Sequence, residues 1–152
     1  MTLHTAIVKA EEDKISLEKA KEFIISKKNG AESIFIGRVR NENSGKKVTA
    51  VTYDAHDQAV IKSFKSICSD AKTKFDKSSS IFLEHAKGYV PVGEISILIA
   101  VSSGHRDEAF KICRYILEEI KHKSPIWKKE HYTEGNEEWL PGHSLRPKEE
   151  IN

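Results

Sequence analysis

Apolar residues recur along the chain with two alternating periods, and each switch of period marks an element. Leu17, Ala20, Phe23 and Ile24 share one face of a helix that Ser16 is placed to cap, with Asn29-Gly30 as a left-handed stop. Residues 33–39 and 48–53 read as strands, with the polar stretch 41–46 between them as a hairpin loop. From 56 to 75, Val60, Phe64, Ile67, Cys68, Ala71 and Phe75 return at helical spacing. Two more strands, 81–86 and 94–102, are joined through Gly88, Pro91 and Gly93. The second is apolar nearly throughout, which predicts a central strand covered on both faces. A third helix spans 106–122 on the stripe Ala109, Phe110, Cys113, Ile116, Leu117 and Ile120. Lys121 falls at the margin of that stripe, in line with Phe110, Arg114 and Leu117. Residues 128–139 read as a last hairpin around Glu134-Gly135-Asn136, and 140–152 as a polar tail. The order predicts one α+β domain over residues 1–139.

Composition narrows the function classes. The chain has 152 residues, 38% hydrophobic and 32% charged, which fits an ordered domain with a sizeable core. A net charge of +2 argues against a dedicated nucleic-acid binder, so the basic residues matter by position. No apolar run approaches the ~20 residues that span a bilayer, and nothing at the start reads as a secretory signal. Cys68 and Cys113 lack redox or zinc spacing and lie on apolar helix faces, which predicts buried thiols in a reducing cytoplasm. His85, within a strand, reads as a core or rim histidine, and no group of residues has metal-ligand spacing.

Three basic groups carry the candidate chemistry. Lys121 and Lys128 bracket His122-Lys123-Ser124-Pro125-Ile126-Trp127, where Pro125 ends the helix and Trp127 needs a place to bury. Two ammonium groups pinned beside an apolar wall have their pKa values lowered by burial and mutual repulsion. Ser102-Ser103-Gly104-His105-Arg106 joins the buried strand to the third helix. A glycine turn at a helix N-terminus is an anion site, although Ser103 as a simple cap explains the same residues. Arg38 and Arg40 point to one face if the strand is regular and so meet one phosphate or carboxylate, or else merely blunt a sheet edge.

These residues resemble a known family. Phe35-Ile36-Gly37-Arg38-Val39-Arg40-Asn41, Val92-Gly93-Glu94, His105-Arg106-Asp107-Glu108-Ala109-Phe110 and Pro125-Ile126-Trp127-Lys128-Lys129-Glu130 behind Lys121 follow the order and spacing of the large, catalytic subunit of molybdopterin synthase. The resemblance runs from about residue 4 to Trp139. It implies an α/β hammerhead-type fold and a homodimer with a small ubiquitin-like subunit at each end, a heterotetramer. That small subunit brings sulfur as a thiocarboxylate on its C-terminal glycine. Two sulfurs pass to cyclic pyranopterin monophosphate, giving the dithiolene of molybdopterin. It also implies phosphate contacts at Arg38, Val39, Arg40, His105 and Arg106, catalytic lysines at Lys121 and Lys128, and Lys129 and Glu130 lining the same pocket. The role assignment that follows is Lys121 as acid/base group and Lys128 as electrostatic clamp. No cofactor or metal is implied.

One position departs from the family. Where it usually reads His-Arg-x-Gly, this chain has His85-Ala86-Lys87-Gly88. Lys87 points to the opposite face of a regular strand and does not replace the arginine, and the small Ala86 predicts close packing. A non-catalytic binder of a ubiquitin-like tail or of a phosphorylated ligand is the alternative reading. A nucleotide or RNA binder would need aromatics interleaved with the basic residues.

Overall fold

One long strand, β5 (Ser80–Pro91), serves two sheets in a computed structural model that describes residues 1–133, 135 and 137–139. Its first half pairs antiparallel with β6 (Ile95–Ser103) on one side and parallel with β1 (Leu3–Lys9) on the other. Beyond β6 lies β2 (Ala31–Arg38), the outer strand of this first sheet. The end of β5 pairs instead with β4 (Lys46–Ala55), then β7 (Ile126–Tyr132) and β8 (Glu137–Trp139) complete a second, antiparallel sheet. The handover falls at Gly88, whose φ of 101° suits glycine and where a Cβ would collide with the Glu11 carboxylate. Glu11 in turn accepts a 2.8 Å hydrogen bond from the Tyr89 amide.

Helices cover the first sheet on both faces, as the apolar β6 predicts. Side chains alternate along a strand, so Ile97, Ile99 and Val101 face one way and Leu98 and Ala100 the other. The first set meets α2 (Asp57–Lys74) and α3 (Arg106–Lys123), which lie side by side; Ile112, Ile116 and Ile120 of α3 are fully buried there. The second set faces α1 (Leu17–Ile24), where the Phe23, His4 and Phe82 rings cluster. Ser16 caps α1 through Lys19 N–H at 3.2 Å, as its position in the sequence predicts.

The sequence misplaces three local features. Helix α1 stops at Ile24 with an extended Ile25 cap, so Asn29-Gly30 is not its stop. Gly30 is needed for space, since a Cβ there would lie 3.2 Å from the Gly104 carbonyl oxygen. Residues 41–46 do not join β2 to β4 as one hairpin, because β2 pairs with β6. A short β3 (Glu42–Asn43) folds onto β4 through Ser44 and Gly45, both at positive φ. Finally, β1 is a strand that the apolar pattern leaves unassigned. Of the predicted last hairpin, Gly135 is seen at positive φ, while Glu134 and Asn136 lie outside the described residues, as does the predicted tail 140–152.

Candidate active site

The lysine-bracketed segment is pinned, though by different residues from those the sequence suggests. Ser124 ends α3, its amide donating to the Ile120 carbonyl at 3.1 Å and its hydroxyl meeting that of Ser63 at 2.9 Å. Ile126 is 1% exposed, so the chain enters β7 through a buried isoleucine. Trp127 does not bury; it is 36% exposed. Within β7, directly paired residues share a face of the sheet. Ile126, Lys128 and Glu130 stand opposite Ala55, Tyr53 and Val51, all buried, and so line the inner face. Trp127, Lys129 and His131 point the other way.

On that inner face, positive charges converge around one amine. Burial lowers the Lys128 pKa; the Glu130 carboxylate opposes the shift, while Arg40 and Lys121 push it further down. Glu130 is itself buried and accepts from Asn43 Nδ2 at 2.8 Å and the Tyr132 hydroxyl at 3.0 Å, which ties the β3 turn to the site. Tyr53 is held protonated by burial, which outweighs a Ser96 hydrogen bond, and its ring meets His85 edge-on at 4.9 Å. Burial takes His85 down to about 4, against the hydrogen bond its Nδ1 donates to Ala86 O at 2.7 Å, and the Lys128 charge adds to the fall. His85 is therefore a neutral wall, the core histidine the sequence predicts.

The remaining candidate residues are dispersed. Arg38 donates to Gly93 O at 2.7 Å and lines a separate cavity of about 490 Å³ with Ala86, Lys14 and Glu94, so it does not share the position of Arg40 beside Lys128. Ala86 is among the residues lining this cavity and is itself only 4% exposed, packed in the core as a small residue predicts, and Lys87 pairs with Asp57 at 2.8 Å. Val39 is buried with its backbone engaged: N–H to Glu94 O at 3.1 Å and C=O from Gly93 N at 2.9 Å. Lys129 pairs with Glu137 at 3.3 Å and lies over the Trp139 ring, on the face away from Lys128.

His105 and Arg106 are exposed at the far end of α3 from Lys121. At about 1.5 Å per residue the Arg106 and Lys121 backbones are roughly 22 Å apart. The glycine turn before them is not empty either. The Ser103 hydroxyl and the Gly104 amide donate to the Asp76 carboxylate. Partial burial raises the Asp76 pKa, but these bonds and those from Ser78 outweigh it and hold the carboxyl at about 2. The anion predicted at this turn is the protein's own.

Both cysteines are free and buried, and burial pushes the Cys68 thiol up to about 12. Among the described residues no cluster of His, Cys, Asp and Glu could hold a metal ion, and no helix is long and apolar enough to cross a membrane. Sequence reasoning missed Tyr53 and Asp76 as parts of these two sites. Strand alternation marks Tyr53 as inward, but only the β4–β7 register places it opposite Lys128. Asp76 follows α2 in a loop that carries no motif at all.

Comparison with known proteins gives one consistent result. The family model described as MoaE protein matches residues 10–123. The molybdopterin synthase catalytic subunit of Synechococcus elongatus is 40% identical over 131 residues, covering 86% of this chain and 79% of its own. That of Pyrococcus abyssi is 39% identical over 137 residues, covering 90% of each. Among solved structures, molybdopterin synthase from Staphylococcus aureus superimposes with a TM-score of 0.83 at 31% identity, covering 90% of this chain and 96% of that one. A complex of subunits 1 and 2 of molybdopterin-converting factor from Helicobacter pylori shares the fold, with a TM-score of 0.72 at 21% identity and coverage of 95% and 93%.

Proposed function

This chain belongs to the MoaE protein family, and we propose that it works as a molybdopterin synthase catalytic subunit through the inner-face cluster of Lys128, Lys121, Arg40 and Glu130. It transfers sulfur from the C-terminal thiocarboxylate of a small ubiquitin-like partner subunit to cyclic pyranopterin monophosphate, in the cytoplasm, as half of a catalytic dimer within a heterotetramer. The observation that carries the assignment of roles is the depressed pKa of Lys128. An amine that loses its proton readily relays protons as the thiocarboxylate sulfur bonds to carbon and the phosphate oxygen leaves, and again as water cleaves the resulting acyl–sulfur bond to release the partner's carboxylate. Arg40 and Lys121 hold the anionic substrate and the developing oxyanion. This exchanges the two lysine roles expected from the sequence: burial favours Lys128 as the titrating group and Lys121 as the clamp.

His105 and Arg106 stand too far along α3 to reach the same pocket within one chain. They serve the phosphate in the pocket of a second copy. Arg38 faces its own cavity beside Ala86, and the position of Lys129 on the outer face makes it a neighbour rather than a member of the catalytic cluster.

The test is single-turnover conversion of the precursor by the chain with a thiocarboxylated small subunit. Lys128→Arg, which keeps charge but cannot deprotonate near neutrality, loses most of the rate, roughly 10²–10⁴-fold for a lost acid/base group. Lys121→Arg retains far more. The reverse order of losses returns the acid/base role to Lys121. Equal, near-native rates in both variants refute a titrating lysine altogether.

A further inference from the structure

The β3 hairpin turns one side chain inward. Across residues 40–47 every residue is exposed except Asn43, which is half-buried. Its side-chain amide donates to Glu130 Oε1 at 2.8 Å, and the Tyr132 hydroxyl donates to the same oxygen at 3.0 Å. Asn43 is paired with Lys46, so the two share a face of the hairpin, and the Lys46 ammonium lies 5.0 Å over the Tyr132 ring. Two hairpin residues thus rest on two residues of β7 that alternate with Lys128 on its inner face. The backbone holds them there. Ser44 and Gly45 close the turn at φ of 52° and 79°. Val48 N donates to Asn41 O at 2.9 Å, and Thr133 N to Lys47 O at 3.1 Å.

We propose that Asn43 is a positioning residue for the transfer reaction: from the β3 hairpin, together with Tyr132, it ties down the Glu130 carboxylate and so fixes how closely a counter-charge approaches the Lys128 amine. The inference deepens the function proposed above and rests on Lys128 as the titrating group.

Five groups face that amine. Glu130 comes from its own strand, Tyr53 from β4, His85 from β5, Arg40 from the segment after β2 and Lys121 from α3. Burial keeps Tyr53 and His85 neutral at pH 7, and an arginine does not titrate. Of these groups only Glu130 is negative, so its placement decides the balance. With two donors on Oε1 the carboxylate is held toward the hairpin. Without the Asn43 amide, a buried carboxylate short of a donor turns toward the Lys128 ammonium. Closer contact favours the charged amine, against the burial and the repulsion from Arg40 and Lys121 that favour the free one. Arg40 is not loosened by the change. Its neighbours Val39 and Asn41 keep their backbone bonds to Glu94, Gly93 and Val48.

Single-turnover rates against pH, for the full chain with a thiocarboxylated small subunit, read the effect. In Asn43→Ala the rising limb moves up by about one pH unit and the neutral-pH rate falls about tenfold, the free-amine fraction dropping tenfold per unit. Raising the pH restores the rate, and precursor affinity stays within about twofold because no substrate contact is lost. Asn43→Gln, which keeps an amide donor, recovers part of the loss. In a Glu130→Gln background Asn43→Ala moves the limb no further, since the carboxylate it held is gone. A purely structural role for Asn43 gives the same fractional loss at every pH. That result, or a shift that survives Glu130→Gln, overturns the proposal. Should Asn43→Ala fold poorly, Tyr132→Phe removes the other donor to Oε1 and moves the limb the same way; an unmoved limb there refutes it equally. Trace acetylation of the chain alone with acetic anhydride, reading Lys128 by mass spectrometry against pH, separates this inference from the reading it rests on. A Lys128 midpoint that rises in Asn43→Ala with an unmoved rate profile keeps Asn43 as the positioning residue and removes Lys128 from the acid/base role. An unmoved midpoint refutes the positioning role whatever the rate does.

Discussion

The two ends of α3 handle charge in opposite ways. At the N-terminal end, the donors of the glycine turn are consumed by Asp76, and the basic residues His105 and Arg106 are left outside in solvent. At the C-terminal end, Lys121 and the following Lys128 are gathered with Arg40 against a buried wall of Tyr53 and His85, with Glu130 as the embedded counter-charge. A helix C-terminus favours cations, yet here three of them repel one another and one is desolvated. The first end is stabilised, the donors of its turn already satisfied within the chain. The second is held in an unfavourable state by the packing of Ser124 and Ile126. Strain of that kind at one end of a rigid element marks where chemistry is done.

Substitutions at the two ends break the contrast in different measures. Lys128→Met has the largest effect: precursor conversion falls about 10²–10⁴-fold, while the melting temperature rises, because a buried charge is removed. The sign follows from the depressed pKa. Wherever the amine is protonated both folded and unfolded, the whole cost of burying charge is present. That cost fades as pH rises past the lowered value, where the folded form sheds its proton first. A melting curve for Lys128→Met that shows no gain at neutral pH would place the amine in water and refute the contrast.

Arg106→Ala comes next. It weakens precursor binding by about 1.5–3 kcal/mol, the range for a lost charge-assisted hydrogen bond, and leaves thermal stability unchanged; calorimetry of the two quantities separates binding from folding. Asp76→Asn works the other way, leaving conversion rates near native while lowering stability by about 1–2 kcal/mol through the weakened turn. The Asp76 carboxyl sits at about 2 when folded, so its contribution is present above the unfolded carboxylate range and is lost as pH falls toward 2. Acid denaturation of the asparagine variant should lack that step. Smallest of all is Lys129→Met, which changes turnover by no more than about two- to threefold; an exposed pair such as Lys129–Glu137 contributes little. A loss comparable with that of Lys128→Met would mean that the strand register has been misjudged.

The sequence carried more of the elements than of their partners. Ser16 as a cap, the helical stripes of α2 and α3, and the buried β6 all follow from local pattern, because capping and periodicity are properties of neighbouring residues. Pairing is not. The split of β5 between two sheets and the placement of Tyr53 opposite Lys128 depend on register across many residues, which alternation alone leaves open. The convergence of Lys121 and Lys128 was legible from Pro125 and helix phase, although Ile126 rather than Trp127 anchors it. Arg38 and Arg40 separate because the register shifts at Gly37–Arg38 and the strand ends there. Ala86 is ambiguous for a different reason: a small residue signals either tight packing or room left beside it, and here both hold, since it is packed in the core and also lines the cavity with Arg38 and Glu94.

The burial of Cys68 and Cys113 has a consequence for the cargo. A thiocarboxylate is a soft nucleophile that attacks an oxidised cysteine nearby, displacing water from a sulfenic acid or a thiolate from a disulfide, and is lost as a mixed acyl disulfide. With one thiol pushed up to about 12 and both shut inside the core, neither is accessible as a thiolate or prone to sulfenic acid formation. Under the proposed function, a donated sulfur meets a scaffold whose own two thiols are shut away from it.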